Sequence, residues 1–267
     1  MTSLVVALRP SAGQAPTLAP DANTAAAVER GGKYVEAFEH EFSLIVCEEH
    51  QIQQVVKADG RIAKTRDMRS DVAFVKVGTT WPQPFRDVIE VDRKPVRNRD
   101  DRLRKLFLES AKTAVAQAQA IAQESRRYNI GTPRTGASPM LLLLILHPRF
   151  APGFHFSLNG STLTFDEFHV PSVLQYRRSG QHFDLMSRGS FVIDRESGRV
   201  LSAELTAGPP APVSTSMSID YREDPQVKVL VPVEMRERYW EPAKPKNDET
   251  KVVSTFGNFR RFQVRID

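Results

Sequence analysis

An α+β fold is predicted: a strongly curved antiparallel sheet, an incomplete barrel of about eleven strands, with an N-terminal helix, a middle helix and a short apolar plug helix. Three features predict it. Apolar residues recur with a period of two, in runs separated by turn sequences, from residue 42 to the C-terminus. Two segments, 24–41 and 100–128, carry their apolar residues at helical spacing instead. The block Met140 to Leu146 is apolar at every position, which suits only a helical piece buried on all sides.

Each element can be justified in chain order. In 24–41 the apolar members are Ala25, Val28, Tyr34, Val35 and Phe38, and the pair Gly31-Gly32 weakens the helix. From Phe42 the period becomes two, with Phe42, Leu44 and Val46 on one face and Ser43, Ile45 and Cys47 on the other, as far as Val56. Ala58-Asp59-Gly60 turns the chain back into a second long strand ending at Val77. Trp81 to Val91 supplies a third strand, closed by Asp92 to Pro95. Asp100 or Asp101 caps the middle helix, which presents Leu103, Leu106, Phe107, Ala114, Ala118 and Ile121 and ends near Tyr128-Asn129. Ser138-Pro139 opens the plug helix and His147-Pro148 stops it.

Beyond Pro152 the pattern is β throughout. Phe154 and Phe156 lead to the hairpin turn Asn159-Gly160, and Leu163 and Phe165 continue past it. Ser190 to Ile193 and Val200 to Leu205 flank a turn containing Gly198. Met217, Ile219 and Tyr221 alternate with polar residues, Glu223-Asp224-Pro225 turns, and Val229, Val231, Val233 and Met235 return. The last strand, 251–266, carries Phe262, Val264 and Ile266 in phase and a bulge at Gly257-Asn258.

Composition sets the outer bounds. With 267 residues, 40% hydrophobic and 26% charged, the chain is neither disordered, nor collagen-like, nor a polytopic membrane protein. One cysteine, Cys47, excludes an intramolecular disulfide and a cysteine metal cage. Leu4 to Leu8, then Arg9-Pro10 and the small-residue sequence Gly13-Gln14-Ala15, read as the remnant of an export signal or as a disordered leader. The expected organisation is therefore a leader over 1–23 and a single half-barrel domain over 24–267, with a helical insertion at about 100–147. The longest apolar stretch, Met140 to Leu146, falls well short of the roughly 20 residues of a transmembrane helix.

The net charge of +5 is concentrated in one patch. Between residues 93 and 105, Arg93, Lys94, Arg97, Arg99, Arg102, Arg104 and Lys105 face only Asp100 and Asp101. That patch suits an anionic envelope component, or is a solvated turn and first helical turn. Nucleic acid is not expected, because no recognition motif and no interleaved aromatics accompany the charge. No phosphate-cradling loop and no serine elbow is present, so no cofactor and no catalytic residue are assigned. Glu39-His40-Glu41 and Glu48-Glu49-His50 are dense in metal-ligand types, which makes a metal hydrolase at His40, Glu48 and His50 an alternative. Leu44 stands where an HExxH site needs its second histidine, and Glu49 points away from Glu48 and His50 on a strand.

Two hairpins carry a family likeness. Gly189-Ser190-Phe191-Val192-Ile193-Asp194 to Gly198-Arg199-Val200-Leu201, and Ile219-Asp220-Tyr221 to Val231-Pro232-Val233-Glu234-Met235, resemble segments of the LolA/LolB-like, outer-membrane lipoprotein-sorting half-barrels. The chain also looks like uncharacterised secreted bacterial proteins at Tyr34-Val35 to Glu49, at Phe85-Arg86-Asp87-Val88 and at Phe259-Arg260-Arg261-Phe262. The likeness covers most of residues 30–266. It implies a periplasmic or secreted protein, not an enzyme, whose concave side holds an acyl chain or lipoprotein. The chain departs from a lipid-anchored protein in having no lipobox cysteine near its start. In this reading Phe107, Leu141, Leu142, Leu144, Ile145, Phe154, Phe156, Phe191, Ile193, Met217, Ile219 and Met235 line the cavity, and the plug moves aside for the ligand. The alternative is a closed core, with the protein acting as an interaction or scaffold module through the basic patch and its exposed strand edges.

Overall fold

A computed structural model describes residues 3–6, 21–43, 45–75, 83–96, 123–132, 134, 138–178 and 180–261. Among them lie one long helix, α1 (Ala22–Phe42), and thirteen strands. The strands are β1 (Ser3–Val6), β2 (Ile45–Val56), β3 (Ile62–Val75), β4 (Gln83–Val91), β5 (Lys94–Pro95), β6 (Phe154–Asn159) and β7 (Thr162–Glu167). They continue with β8 (Leu174–Arg178), β9 (Gln181–Ile193), β10 (Val200–Pro210), β11 (Ser214–Glu223), β12 (Leu230–Trp240) and β13 (Glu249–Arg261). The order β1-β8-β9-β10-β11-β12-β13-β2-β3-β4-β5 makes one curved antiparallel sheet that does not close, and the architecture is α+β. Residues 3–6 pair with β8.

Helix α1 starts where its chemistry says it should. Asp21 accepts from the backbone N–H of Asn23 (2.9 Å) and Thr24 (3.0 Å), filling two of the donors that a helix start leaves open. The helix runs through Phe42, so β2 begins at Ile45, three residues later than the alternation at Phe42 suggested. Phe42 joins the core by stacking on Phe38 (ring centroids 4.8 Å apart) and meeting Phe74 of β3 (4.7 Å). Tertiary packing of those rings outweighs the local preference for a strand.

The plug also differs in kind. Leu142–Leu146 is a 3-10 helix, entered and left by i to i+3 bonds from Leu141 N–H to Ser138 C=O (2.9 Å) and from His147 N–H to Leu144 C=O (3.1 Å). Five residues ahead of Pro148 leave little length in which an α-helical ladder could propagate. The greater part of the expected middle helix and the last residues of the final strand, including Phe262, Val264 and Ile266, lie outside the described residues. What is described of the middle helix, 123–128, ends at Tyr128.

Two irregularities shape the sheet. The Gly257–Arg260 register shift between β13 and β2 is the expected bulge, with Asn258 in the left-handed region. In β12 a shift at Val233 moves that residue out of phase, so that Tyr221 faces Pro232 and Ile219 faces Met235. Pro232 lies before the stretch of β12 that pairs with β13, which begins at Glu234, so its missing N–H costs no bond to β13.

Strand β9 forks. One edge pairs with β10, while the other serves β8 over Gln181–Asp184 and β7 over Arg188–Val192. At the fork the buried Glu167 accepts from Val173 N–H (2.7 Å), Ser187 N–H (3.0 Å), Ser172 Oγ (2.9 Å) and Ser187 Oγ (2.6 Å). Burial pushes its carboxyl above the usual carboxylate range, and those four donors pull it back. One side chain thus supplies the acceptors that the parted strands leave missing.

Candidate functional site

The inner face of the sheet, covered by α1 and the plug, is built from cross-strand rows. One row reads Leu163, Phe191, Ala203, Ile219 and Met235 across β7, β9, β10, β11 and β12, then Ser254, Gln51 and Met68 across β13, β2 and β3. The next reads Phe165, Gly189, Leu205 and Met217, then Glu237, Val252, Gln53 and Arg66. Each row is apolar on the β7–β11 side and becomes polar at β12 or β13. The inner face therefore has two sides of different chemistry.

On the apolar side, Leu141, Leu142, Leu144, Ile145, Phe154, Phe191, Ile193, Met217, Ile219 and Met235 belong to one buried cluster, and Phe156 packs against it half-buried. All seven residues from Met140 to Leu146 are at most 3% exposed. The plug sits directly on α1, and the Gly31-Gly32 pair is the reason it can. A Cβ on Gly31 would stand 3.4 Å from Leu146 Cδ1, and one on Gly32 would stand 3.2 Å from Leu146 O and 3.3 Å from Pro148 Cγ. The glycines that weaken the helix as a helix thus create its contact surface. Tyr221 of β11 donates its hydroxyl proton to Pro139 C=O, tying the entrance of the plug to the sheet.

The polar side was not singled out in the sequence as a site. Glu49 of β2 is 2% exposed and accepts two bonds from Arg86 of β4, at 2.5 Å from Nε and 3.1 Å from Nη2. Burial alone would lower the Arg86 pKa, and the charge and hydrogen bonds of Glu49 more than reverse that. On β12, Tyr239 donates to Glu237, and both are buried. Burial pushes the Glu237 carboxyl up against the opposing pull of Arg134, the Tyr239 hydrogen bond and Arg86. Tyr239 is raised by burial and then by the charge of Glu237.

Residues 129–132 and Arg134 dock onto this side. Gln53 donates to Asn129 Oδ1 (2.9 Å) and Gln51 Oε1 (2.6 Å), and accepts from Ile130 N–H (3.0 Å). Arg134 donates to Ile130 C=O (3.1 Å) and Thr132 C=O (3.3 Å), and its guanidinium lies 5.8 Å from the centre of the Tyr239 ring. Two carboxylates and two guanidiniums balance in charge here. The arrangement satisfies buried polar groups. A signal for it existed: alternation from Ile45 and Cys47 puts Glu49, Gln51 and Gln53 on the same buried face.

The other sequence candidates are scattered. Glu48 and His50 lie on the outer face, where Glu48 accepts from Asn258 (2.8 Å) and His50 bonds Asp67 (2.8 Å), while His40 is exposed near the end of α1. Among the described residues no three metal-ligating side chains come together. Arg93 and Lys94 are exposed in the β4–β5 turn, with Asp92 and Arg93 in the left-handed region. Arg97, Arg99, Arg102 and Phe107 lie outside the described residues.

Over 90% of its length the chain is similar to two solved structures. One is a DUF1329 family protein from Desulfovibrio piger, 8% identical, with 95% of that chain covered and a TM-score of 0.36. The other is described as a "putative outer membrane lipoprotein-sorting protein domain" from Vibrio parahaemolyticus, 10% identical, with 95% covered and a TM-score of 0.36. No protein-family model and no curated protein matches the sequence. Among the described residues no helix is long and apolar enough to cross a membrane.

Proposed function

We propose that this protein holds an apolar ligand, a lipid acyl chain or the lipid of a lipoprotein, on the inner face of its open half-barrel, in the place that its own segment 140–146 occupies. The observation that carries this reading is the plug itself. Seven consecutive apolar side chains are buried in one apolar cluster with side chains of α1 and of β7 to β12. An apolar chain could replace the plug with little change in the surface removed from water. Met217 and Met235 in that cluster adapt easily to a different occupant. In this reading the protein performs no covalent chemistry and works in the bacterial envelope as one half-barrel domain, with Arg93 and Lys94 placed to meet anionic envelope components.

A crosslink that pins the plug tests it. A Cβ at position 32 would stand 3.3 Å from Pro148 Cγ, close to the Cβ to Sγ separation across a disulfide, so Gly32→Cys/Pro148→Cys should close a bond between α1 and the plug. Native mass spectrometry with added phospholipid, and titration with a fluorescent fatty acid, should show saturable uptake by the reduced variant and none by the oxidised one. Equal uptake in both forms would remove the plug from the mechanism. A wild-type protein that takes up no lipid would leave the closed core of a scaffold module, which full burial of the plug favours.

A further inference from the structure

A second feature of the molecule is independent of the plug. At the end of the half-barrel where β2 finishes and β13 begins, an open cleft of about 600 Å³ is bordered by β8, by the connection from β10 to β11, by the end of β12 and by the docked loop 131–132. Strands β8 and β2 stand six steps apart in the sheet order, and only the curvature of the sheet brings them to one cleft. The volume falls within the usual range for small-molecule sites, about 300–1,000 Å³.

The charge balance of this cleft is uneven. Its two carboxylates already have partners: Asp248 binds Lys57 (2.8 Å), and Glu241 binds Lys244 (3.3 Å) and Asn247 (3.3 Å). Its two cations, Arg178 and Lys246, form no ion pair or side-chain hydrogen bond among the described residues, although both are exposed. With Lys57 and Lys244 neutralising the acids, two positive charges remain. The cleft is lined by Trp240, half-buried with the Arg238 guanidinium 4.9 Å from its ring centre, and by the edge of the buried Tyr176. The wall is firmly built. Gly131 has φ of +71°, and a Cβ there would stand 2.1 Å from Thr250 Oγ1, the atom that accepts the Thr132 N–H at 2.8 Å. Any other residue at 131 would push the loop off the sheet.

We infer that this cleft is a binding site for an anionic sugar or polyol, its ring against the exposed part of Trp240 and its phosphate on Arg178 and Lys246. Two unpaired cations select the charge and the Trp240 ring selects the sugar. The same chemistry is offered by a free sugar phosphate and by a phosphoinositol lipid headgroup.

Calorimetric titration of the full chain with glucose 6-phosphate, glucose and inorganic phosphate tests the inference. Glucose 6-phosphate should bind saturably and at least tenfold more tightly than either fragment. Arg178→Gln/Lys246→Gln should lose at least tenfold of that affinity while melting at the wild-type temperature, since both side chains are exposed. Trp240→Leu should remove the preference for the sugar phosphate over phosphate. Vesicles of phosphatidylcholine with and without phosphatidylinositol separate the sources. Vesicle binding that requires phosphatidylinositol and is displaced by glucose 6-phosphate assigns the headgroup, and binding of the sugar phosphate alone assigns the soluble ligand. Absence of saturable binding to both glucose 6-phosphate and phosphatidylinositol vesicles, or binding that the double variant leaves unchanged, overturns the proposal. Acyl-chain uptake is read separately, so either result stands without the other.

Discussion

The two sides of the inner face solve the same problem with opposite chemistry. Around the plug, burial is achieved by side chains with nothing to satisfy, and the cluster needs only shape and volume. Under residues 129–132 and Arg134, burial is achieved by groups that must each find a partner: Glu49 with Arg86, Glu237 with Tyr239, Gln53 with Asn129 and Ile130. The proposed exchange of occupant belongs to the first side, which asks only for shape and volume. The second asks for more, because removing any member strands another. That contrast is why the apolar side is the one assigned to an exchangeable ligand.

The largest expected effect lies on the polar side. Arg86→Met should cost about 3–5 kcal/mol in denaturant unfolding, because Glu49 is left charged and buried without its partner. Adding Glu49→Leu to that variant should recover most of the loss, and a double variant as unstable as the single one would show that the pair does more than satisfy itself. On the apolar side Leu143→Ala should cost about 2–5 kcal/mol through lost burial and the cavity left behind. Added fatty acid should restore part of that stability if the apolar side accepts a chain, and no shift in melting temperature on saturation would count against the apolar reading.

A smaller effect depends on pH. The Glu237 carboxyl titrates above its ordinary value in the folded protein, so the native state holds that proton more tightly than the unfolded chain. Its contribution to stability is complete below the unfolded value and is lost as pH rises through the folded one. Glu237→Gln keeps an acceptor for Tyr239 and should be more stable than wild type at neutral pH, with the gap closing as pH falls toward 4.5. A gap that widens on acidification would reverse the assignment. The smallest effect is expected outside both regions: Leu201→Ser, at a position 41% exposed, should change stability by no more than about 0.5 kcal/mol.

Much of the fold was legible in the residues. Asn159-Gly160 turned between β6 and β7, Gly198 turned between β9 and β10, and Gly257-Asn258 marked the bulge. Beyond Pro152 the sequence reads as β, but it places no particular strand between 168 and 189, where β8 and the first half of β9 lie, because a forked strand needs no uniform alternation. Gln51 and Gln53 occupied the buried face in plain alternation, yet a glutamine in a strand ordinarily signals solvent. Alternation places them on the inner face, and their partners at 129 and 254 show how a buried amide is satisfied there.

By itself the sequence determined the local elements, the face each strand buries and the need of residues 140–146 for burial on every side, since these follow from periodicity, turn chemistry and side-chain polarity over a few residues. Only the tertiary structure decided which buried faces meet. Arg86 reaches Glu49 across an intervening strand, β9 divides its edge between two partners, and β8 faces β2 over one cleft. Those meetings depend on register and sheet curvature, which are set by many long-range pairings acting together, and no short stretch of residues encodes them.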